Sequence, residues 1–173
     1  MIKFAKINII FFLLLVNLCN ADTNIVFIDM DKILSQSKPG SSILKQLNKI
    51  NDENVKKFNE IEKDLKKKEE KIIKQKNILS QEDFNIKVKG LKLEISEYNK
   101  IRNVASSKLN QLKILNTKKF LKLVNPILSK YADVNSISLI LRKKNLIIAK
   151  SELDVTGKII KLVNNQISEF KIQ

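Results

Sequence analysis

The sequence predicts an α+β protein in which a small strand-built oligomerisation body carries one long antiparallel coiled-coil helical hairpin. Three observations lead to this fold class. The 173 residues include three glycines and two prolines, which leaves few turns and therefore few, long elements. Short runs rich in β-branched residues begin near positions 24 and 137, whereas the segment between them follows the 4,3 apolar spacing of a coiled coil. A hydrophobic content of 43% suffices for a core of limited size.

Residues 1–21 have the pattern of a secretory signal peptide. Lys3 and Lys6 give a positive start, Ile9–Val16 is an unbroken apolar run, and Ala21 offers a cleavage site. The apolar run is shorter than the roughly 20 residues that a membrane-spanning helix needs. We therefore expect cleavage near Ala21 and a mature protein in a bacterial periplasm. Its net charge would be +13, because the removed segment takes two lysines from a chain of charge +15.

The mature chain is expected to begin with a strand. Asn24–Met30 (NIVFIDM) has the length and composition of a strand, and the cluster Lys38-Pro39-Gly40-Ser41 behind it indicates a turn. From Ser41 onward the period is helical, with Ser41 or Ser42 as the N-cap.

A first long helix is predicted from Ser41 to Leu79, and at about 1.5 Å per residue it would extend nearly 60 Å. Its inward face carries the apolar residues Leu44, Leu47, Phe58, Ile61, Leu65, Ile72 and Leu79. Four polar residues interrupt that face: Asn51, Asn54, Lys68 and Gln75. The coiled-coil seam is therefore expected to be imperfect.

A second long helix is predicted after a reversal at residues 79–82, where Ser80 and Asp83 form a capping-box pattern. Its 4,3 spacing is the strongest periodic signal of the chain and runs through Phe84, Val88, Leu91, Ile95, Tyr98, Arg102, Ala105, Leu109 and Leu112. Farther on, Asn125-Pro126 is expected to end one helix and start another. The hairpin arm is assigned to residues 41–131.

The last elements are predicted to be two strands and a helix. Ile137–Arg142 and Leu146–Ala149 flank a tight turn at Lys143-Lys144-Asn145, as in a β-hairpin. Thr156 is expected to cap the final helix, whose apolar residues are Ile159, Ile160, Val163 and Ile167. Residues 22–40 and 132–173 are assigned to the body.

A body of three short strands and one or two helices is marginal as an isolated unit, because its sheet has open edges and little cover. Association between copies is the expected remedy, and an isolated monomer is the alternative. The residues expected to be buried between copies, as the oligomer core, are Ile25, Phe27, Ile28, Leu139, Leu141 and Ile147.

The charge of the arm is strongly positive, with 22 basic and 11 acidic residues between 41 and 131, or +11. The lysines near the reversal are candidate contacts for an acidic unfolded chain or an anionic lipid: Lys63, Lys66, Lys67, Lys68, Lys71, Lys74, Lys76, Lys87, Lys89 and Lys92. The alternative is a solvated coiled-coil face, partly neutralised by Glu62, Asp64, Glu69 and Glu70. Part of the charge can also reflect a compositional bias, since 31 of the 33 basic residues are lysines.

Most familiar catalytic and metal-binding chemistry lacks its ingredients. The chain has no histidine and a single cysteine, Cys19, which falls in the predicted signal peptide. Asp29 and Asp31 form an Asp-x-Asp pair, but two carboxylates at a strand end without further acidic neighbours do not make a metal site. We expect no catalytic residues, no cofactor and no metal.

In its order of elements and in the segments at its two ends, the sequence resembles the Skp/OmpH family of periplasmic chaperones over essentially all of the mature chain. The most distinctive segments are the IVFIDM strand leading into Asp31-Lys32-Ile33-Leu34 and the ending that runs from Leu153-Asp154-Val155-Thr156 to Val163-Asn164. The chain departs from the common family pattern at Gly157-Lys158, where acidic residues are frequent, and in its high lysine content.

The resemblance implies a homotrimer whose strands join in a central body, with three helical arms around a cavity. Such a protein would be an ATP-independent holdase that captures unfolded outer-membrane β-barrel proteins and prevents their aggregation during transit to the outer membrane. Anionic lipid or lipopolysaccharide is a second candidate ligand. The rival interpretations are a structural coiled-coil envelope protein and a nonspecific binder of nucleic acid, although export and the shortage of arginine argue against the latter.

Overall fold

The structure, a computed structural model, describes residues 23–168 and 170–172. The predicted signal peptide lies outside the described residues. The elements in chain order are β1 (Ile25–Ile28), α1 (Met30–Gln36), α2 (Lys38–Lys74), α3 (Gln81–Val134), β2 (Leu139–Arg142) and α4 (Thr156–Gln166), with 3₁₀ turns at Lys143–Asn145 and Ser151–Leu153. Two long helices beside a small parallel sheet confirm the predicted fold class. Within the described part of the chain, no helix combines the length and apolarity needed to cross a membrane.

The arm is the antiparallel pair α2 and α3, which have 37 and 54 residues. At about 1.5 Å per residue they measure about 55 and 80 Å. The chain reverses between Lys74 and Gln81, slightly earlier than predicted. The predicted N-cap at Ser80 is confirmed: its Oγ accepts a hydrogen bond from the Asp83 N–H at 3.1 Å and donates one to Asp83 Oδ2 at 2.6 Å, so the Asp83 carboxylate bonds the Ser80 hydroxyl.

The start of the arm differs from the prediction, since the expected turn at residues 38–41 is the first turn of α2. Ser37, and neither Ser41 nor Ser42, is the N-cap, and its Oγ accepts a hydrogen bond from the Gly40 N–H at 3.3 Å. Pro39 is compatible with this place because the first N–H groups of a helix have no partner within it.

The predicted helix break at Asn125-Pro126 is also wrong, because α3 continues through Pro126. A proline inside a helix removes one backbone hydrogen bond and crowds the preceding turn. Here Val124 and Ile127 are buried on either side of it. Their burial in the core offsets the free-energy cost of the proline. The local sequence does not reveal this burial, because it depends on residues distant in the chain.

The sheet has two parallel strands, with Ile25 opposite Leu139 and Ile28 opposite Arg142. The predicted hairpin of two strands is wrong: β2 ends at Arg142, and Leu146–Ala149 has no strand partner within the described residues. The remaining edge of β1 is used by Asp154, which forms a single bridge with Phe27. Both edges of β1 are therefore occupied within the chain itself.

One apolar core joins the ends of the chain to the root of the arm. Its fully or nearly fully buried members are Val26, Ile28, Ile33, Ile43, Leu47, Phe120, Val124, Ile127, Val155, Ile159 and Val163. Five of these residues belong to α2 and α3, so the arm is built into the body through its own helices. Phe120 is the largest fully buried side chain.

The ends of the chain are also joined by polar contacts around Thr156, which is the first residue of α4 and not the N-cap that the sequence predicted. Its Oγ1 accepts a hydrogen bond from the Asp29 N–H at 2.8 Å and donates one to Asp154 Oδ1. Partial burial opposes the charge of Asp154, but the bonds from the Thr156 hydroxyl and N–H, with Lys143 and Lys32 nearby, lower the pKa of this carboxyl below its ordinary value. Asp154 is therefore an anion at neutral pH.

The last turn of α4 and the segment after it are fastened to the root of α2. Asn164 Oδ1 accepts a hydrogen bond from the Lys38 N–H at 2.6 Å, which satisfies a free donor of the helix N-terminus. The Gln46 amide contacts the backbone twice, donating to the Phe170 carbonyl at 2.7 Å and accepting from the Ile172 N–H at 3.3 Å. These bonds fix the position of the arm's first turns on the body.

Two glycines provide a matched test of the root. A Cβ on Gly40 would lie 2.8 Å from the Leu34 carbonyl carbon and closer still to its oxygen, whereas a Cβ on Gly90 would meet nothing within 4 Å. We expect Gly40→Ala to lower the free energy of unfolding by about 3 kcal/mol, because α1 and α2 must separate. Gly90→Ala should raise it by up to about 1 kcal/mol through helix propensity. Denaturant unfolding at one protein concentration measures both, and equal responses would contradict the close approach of α1 and α2.

Candidate functional site

The contact between the two arm helices is thin. Phe58 and Tyr98 meet edge to face with ring centroids 6.1 Å apart, and the inward residues beyond the body are only half-buried. Asn51, predicted to interrupt this seam, is exposed, and Ile50 takes the inward place. Each helix therefore packs one narrow face against the other helix, and the rest of its surface is exposed to solvent.

The break at Lys68 is filled by an ion pair across the hairpin. Lys68 Nζ lies 2.5 Å from Glu94 Oε2, and about half of each side chain is exposed. An exposed pair of this kind contributes about 0–1 kcal/mol. It aligns the two helices more than it stabilises them.

The structure brings the ten predicted lysines together on the half of the arm that lies away from the body, on α2 before the reversal and on α3 after it. All ten are exposed. Within residues 23–168 and 170–172, two of them form ion pairs: Lys68 with Glu94, and Lys67 with Asp64 at 3.8 Å. Residues 63–92 hold ten basic and five acidic residues, a local charge of +5. Lys68, Lys71 and Lys87 line one shallow groove between the helices, so the two sets of lysines share a surface.

A second feature of the arm was missed by the sequence analysis. Nine large apolar side chains of α3 are exposed, and five of them, which we call the α3 stripe, lie on one side of the helix: Ile86, Leu93, Ile101, Val104 and Leu115. At 3.6 residues per turn they fall within an arc of about 80° on the side of α3 away from α2. Leu93, Val104 and Leu115 are spaced by 11 residues, or about three turns, and stand nearly in line. This 11-residue spacing was the signal in the sequence that could have revealed the α3 stripe. It was missed because the stripe lies on a different face of the helix from the 4,3 seam.

Lysines accompany the α3 stripe along the helix. Lys100, Lys108, Lys118 and Lys122 are exposed and project from the same side of α3 by the same helical geometry. Between residues 86 and 122, Glu97 is the acidic residue within this arc. The outer side of α3 therefore alternates apolar and basic side chains, an arrangement suited to chains that are both apolar and acidic.

The residues predicted for the oligomer core fall into two groups. Phe27 and Ile28 are buried within their own chain. Ile25 and Leu139, which face each other in the sheet register, are partly exposed, and Leu141 is half-buried. Ile147 is 99% exposed, and its neighbour Ile148, absent from the prediction, is 91% exposed. Apolar surface of the body thus remains uncovered in the single chain.

The Asp-x-Asp pair has a structural place. Asp29 Oδ1 accepts a hydrogen bond from the Lys32 N–H at 3.0 Å and so caps α1, while Asp29 Oδ2 lies 3.8 Å from Lys143 Nζ. Among the residues that the structure describes, no group of three or more His, Cys, Asp or Glu side chains is arranged to hold a metal ion.

Comparison with known proteins gives a structural and a sequence match. The fold is similar to that of a protein from Caulobacter crescentus CB15 whose crystal structure is described as a "putative outer membrane chaperone (OmpH-like)", with a TM-score of 0.75 and 10% identity over 87% of this chain and 89% of that one. At this identity the likeness concerns the fold. No curated protein matches the sequence. The family model for outer membrane protein (OmpH-like) matches residues 24–163, which include β1, both arm helices and most of α4. The chain therefore belongs to the OmpH-like family.

Proposed function

We propose that the protein is an ATP-independent holdase chaperone of the periplasm that captures unfolded outer-membrane proteins between its arms and prevents their aggregation during transit. Membership of the OmpH-like family supports a chaperone role without enzymatic chemistry. The observation that carries the finer proposal is the α3 stripe, five large apolar side chains held in solvent on a long projecting helix. The signal-peptide pattern of residues 1–21 supports the periplasmic location.

The α3 stripe supplies weak, repeated contacts. A β-barrel strand alternates apolar and polar residues, so its unfolded chain presents apolar side chains at many points. Each contact with Leu93, Val104 or Leu115 is small, but several arms acting on one tethered client raise its effective concentration. A client bound in this way dissociates without ATP once its own folding offers deeper burial. A purely structural spacer has no need of such a stripe.

The ten predicted lysines on the half of the arm away from the body, which we call the distal lysines, supply electrostatic attraction at a distance. A local charge of +5 on each arm attracts an acidic unfolded chain within a Debye length of about 8 Å at physiological salt. Such attraction raises the association rate more than it prolongs the complex. The same lysines are the proposed contacts for anionic lipid or lipopolysaccharide.

A homotrimer would give the arms a cavity to enclose. The Leu146–Ala149 segment is exposed from Ile147 onward, and the outer edge of β2 has no strand partner among the described residues. Both features support association through the body, because an uncovered strand-forming segment and an open edge favour pairing with another chain. Ile25 and Leu139 would be covered at the same time. Arms attached to a shared body would then surround one space.

The oligomer is tested by measuring molecular mass in solution. We expect a trimer for the mature protein, and dissociation when Ile147→Asp and Ile148→Asp are combined, because two carboxylates cannot be buried unpaired between copies. Ile73→Asp with Ile114→Asp, two equally polar changes on the arm, should leave the mass unchanged. A stable monomer in the unmodified protein would contradict the cavity.

The α3 stripe is tested by light scattering of a urea-unfolded porin diluted into buffer. The triple variant Leu93→Ser, Val104→Ser, Leu115→Ser should require about tenfold more protein to prevent aggregation, which corresponds to about 1.4 kcal/mol of lost binding. The matched control removes three exposed apolar side chains outside the stripe, Val55→Ser, Ile73→Ser and Ile78→Ser. Equal loss in both variants would assign the effect to general hydrophobicity, and protection by neither variant nor the parent would favour a spacer.

The distal lysines are tested by association kinetics with the same porin at low and high salt. Replacing Lys66, Lys67, Lys71 and Lys74 with glutamine should slow association several-fold at low salt and flatten its salt dependence, with little change in dissociation. The control replaces Lys45, Lys49, Lys56 and Lys57, which lie nearer the body. An identical response in the control would show that total charge matters and that its position does not.

A further inference from the structure

A groove of about 550 Å³ lies on the body, between the last turns of α3 and the outer face of α4. Its volume falls in the range of about 300–1,000 Å³ that is typical of small-molecule sites. The lining residues are Ile127, Lys130, Tyr131, Val134, Asn135, Lys158, Lys161, Leu162 and Gln166. None of them belongs to the α3 stripe or to the distal lysines.

The groove is apolar in its interior. Ile127 is almost completely buried, Tyr131 and Leu162 are half-buried, and Val134 is 75% exposed. Binding another molecule over Val134 would remove this apolar surface from water, which favours association. An exposed valine above a buried isoleucine therefore favours a hydrocarbon ligand.

The charged residues that line the groove are all lysines. Lys130 comes from α3 and Lys158 and Lys161 come from α4, and all three are exposed. No lining residue described by the structure is acidic, and α4 has no acidic residue along its whole length. The three ammonium groups beside the apolar groove are electrostatically complementary to an anionic headgroup.

We propose that this groove binds a single-chain anionic amphiphile, a fatty acid, with its hydrocarbon along Tyr131, Val134 and Leu162 and its carboxylate among the lysines. A peptide fits less well, because its backbone groups would need partners and the lining offers two neutral side-chain amides, Asn135 and Gln166. A second copy of this chain fits less well too, since a mature protein of expected charge +13 meets three lysines here. The inference concerns the body and goes beyond the chaperone function of the arm.

Displacement of a fluorescent fatty acid, dansyl-aminoundecanoic acid, by dodecanoate below its micellar concentration tests the site in the full mature protein. Dodecanoate should displace the probe at micromolar concentration, and dodecanol should require about tenfold more. The triple variant Lys130→Gln, Lys158→Gln, Lys161→Gln and the single variant Val134→Asp should each weaken binding about tenfold. Lys144→Gln, Lys150→Gln and Lys171→Gln, which remove the same charge elsewhere on the body and its tail, should leave binding unchanged.

Three outcomes would overturn the inference: equal competition by dodecanol, unchanged binding in Val134→Asp, or a changed subunit number in Val134→Asp, which would make the groove a contact between copies. Circular dichroism of each variant checks that it is folded. Porin aggregation measured on the same variants separates the two proposals, because the groove variants should still protect the porin. The α3 stripe variants should in turn still bind the fatty acid.

Discussion

Beyond the body, the two arm helices have only each other to pack against within the described residues, and this constraint governs the rest of the molecule. A pair of helices can bury one stripe of each, so complete burial is confined to the root, where Ile43, Phe120 and Val124 enter the core of the body. Farther out, Phe58 and Tyr98 are only half-buried. Stability therefore falls along the arm, and the distal half should open locally at a lower free energy than the root.

The same constraint explains why the arm needs a firm attachment. Because the arm helices are about 55 Å long or more, a small rotation at the base of the arm displaces its tip by a large distance. The base is fixed by several different contacts: the close approach at Gly40, the bond from the Lys38 N–H to Asn164, and the Gln46 amide on the C-terminal segment. Flexibility, where the arm has it, must come from the thin seam beyond Leu47 and cannot come from the joint with the body.

The sequence was sufficient to predict what depends on local periodicity. The 4,3 spacing of α3, the N-cap at Ser80 and the strand at Ile25–Ile28 were all found in this way, because each is set by residues close in the chain. Pro126 and Pro39 were misread, since their effect depends on the distant residues packed beside them. The pairing of β2 with β1 was likewise decided across more than 100 residues. The α3 stripe went unnoticed because its residues follow a second period that has no partner helix.

Charge and apolar surface on one arm oppose each other in a useful way. Because Leu93, Val104 and Leu115 are exposed in one line, two copies of the chain could associate through these residues. Each arm carries +11, however, and two such arms repel at the short range where their stripes would meet. Under the proposed function, an acidic, unfolded client would meet no such barrier. The lysines would then discriminate between copies and clients before any apolar contact forms, and the body, with its uncovered Ile147 and Ile148, would be the surface through which copies join.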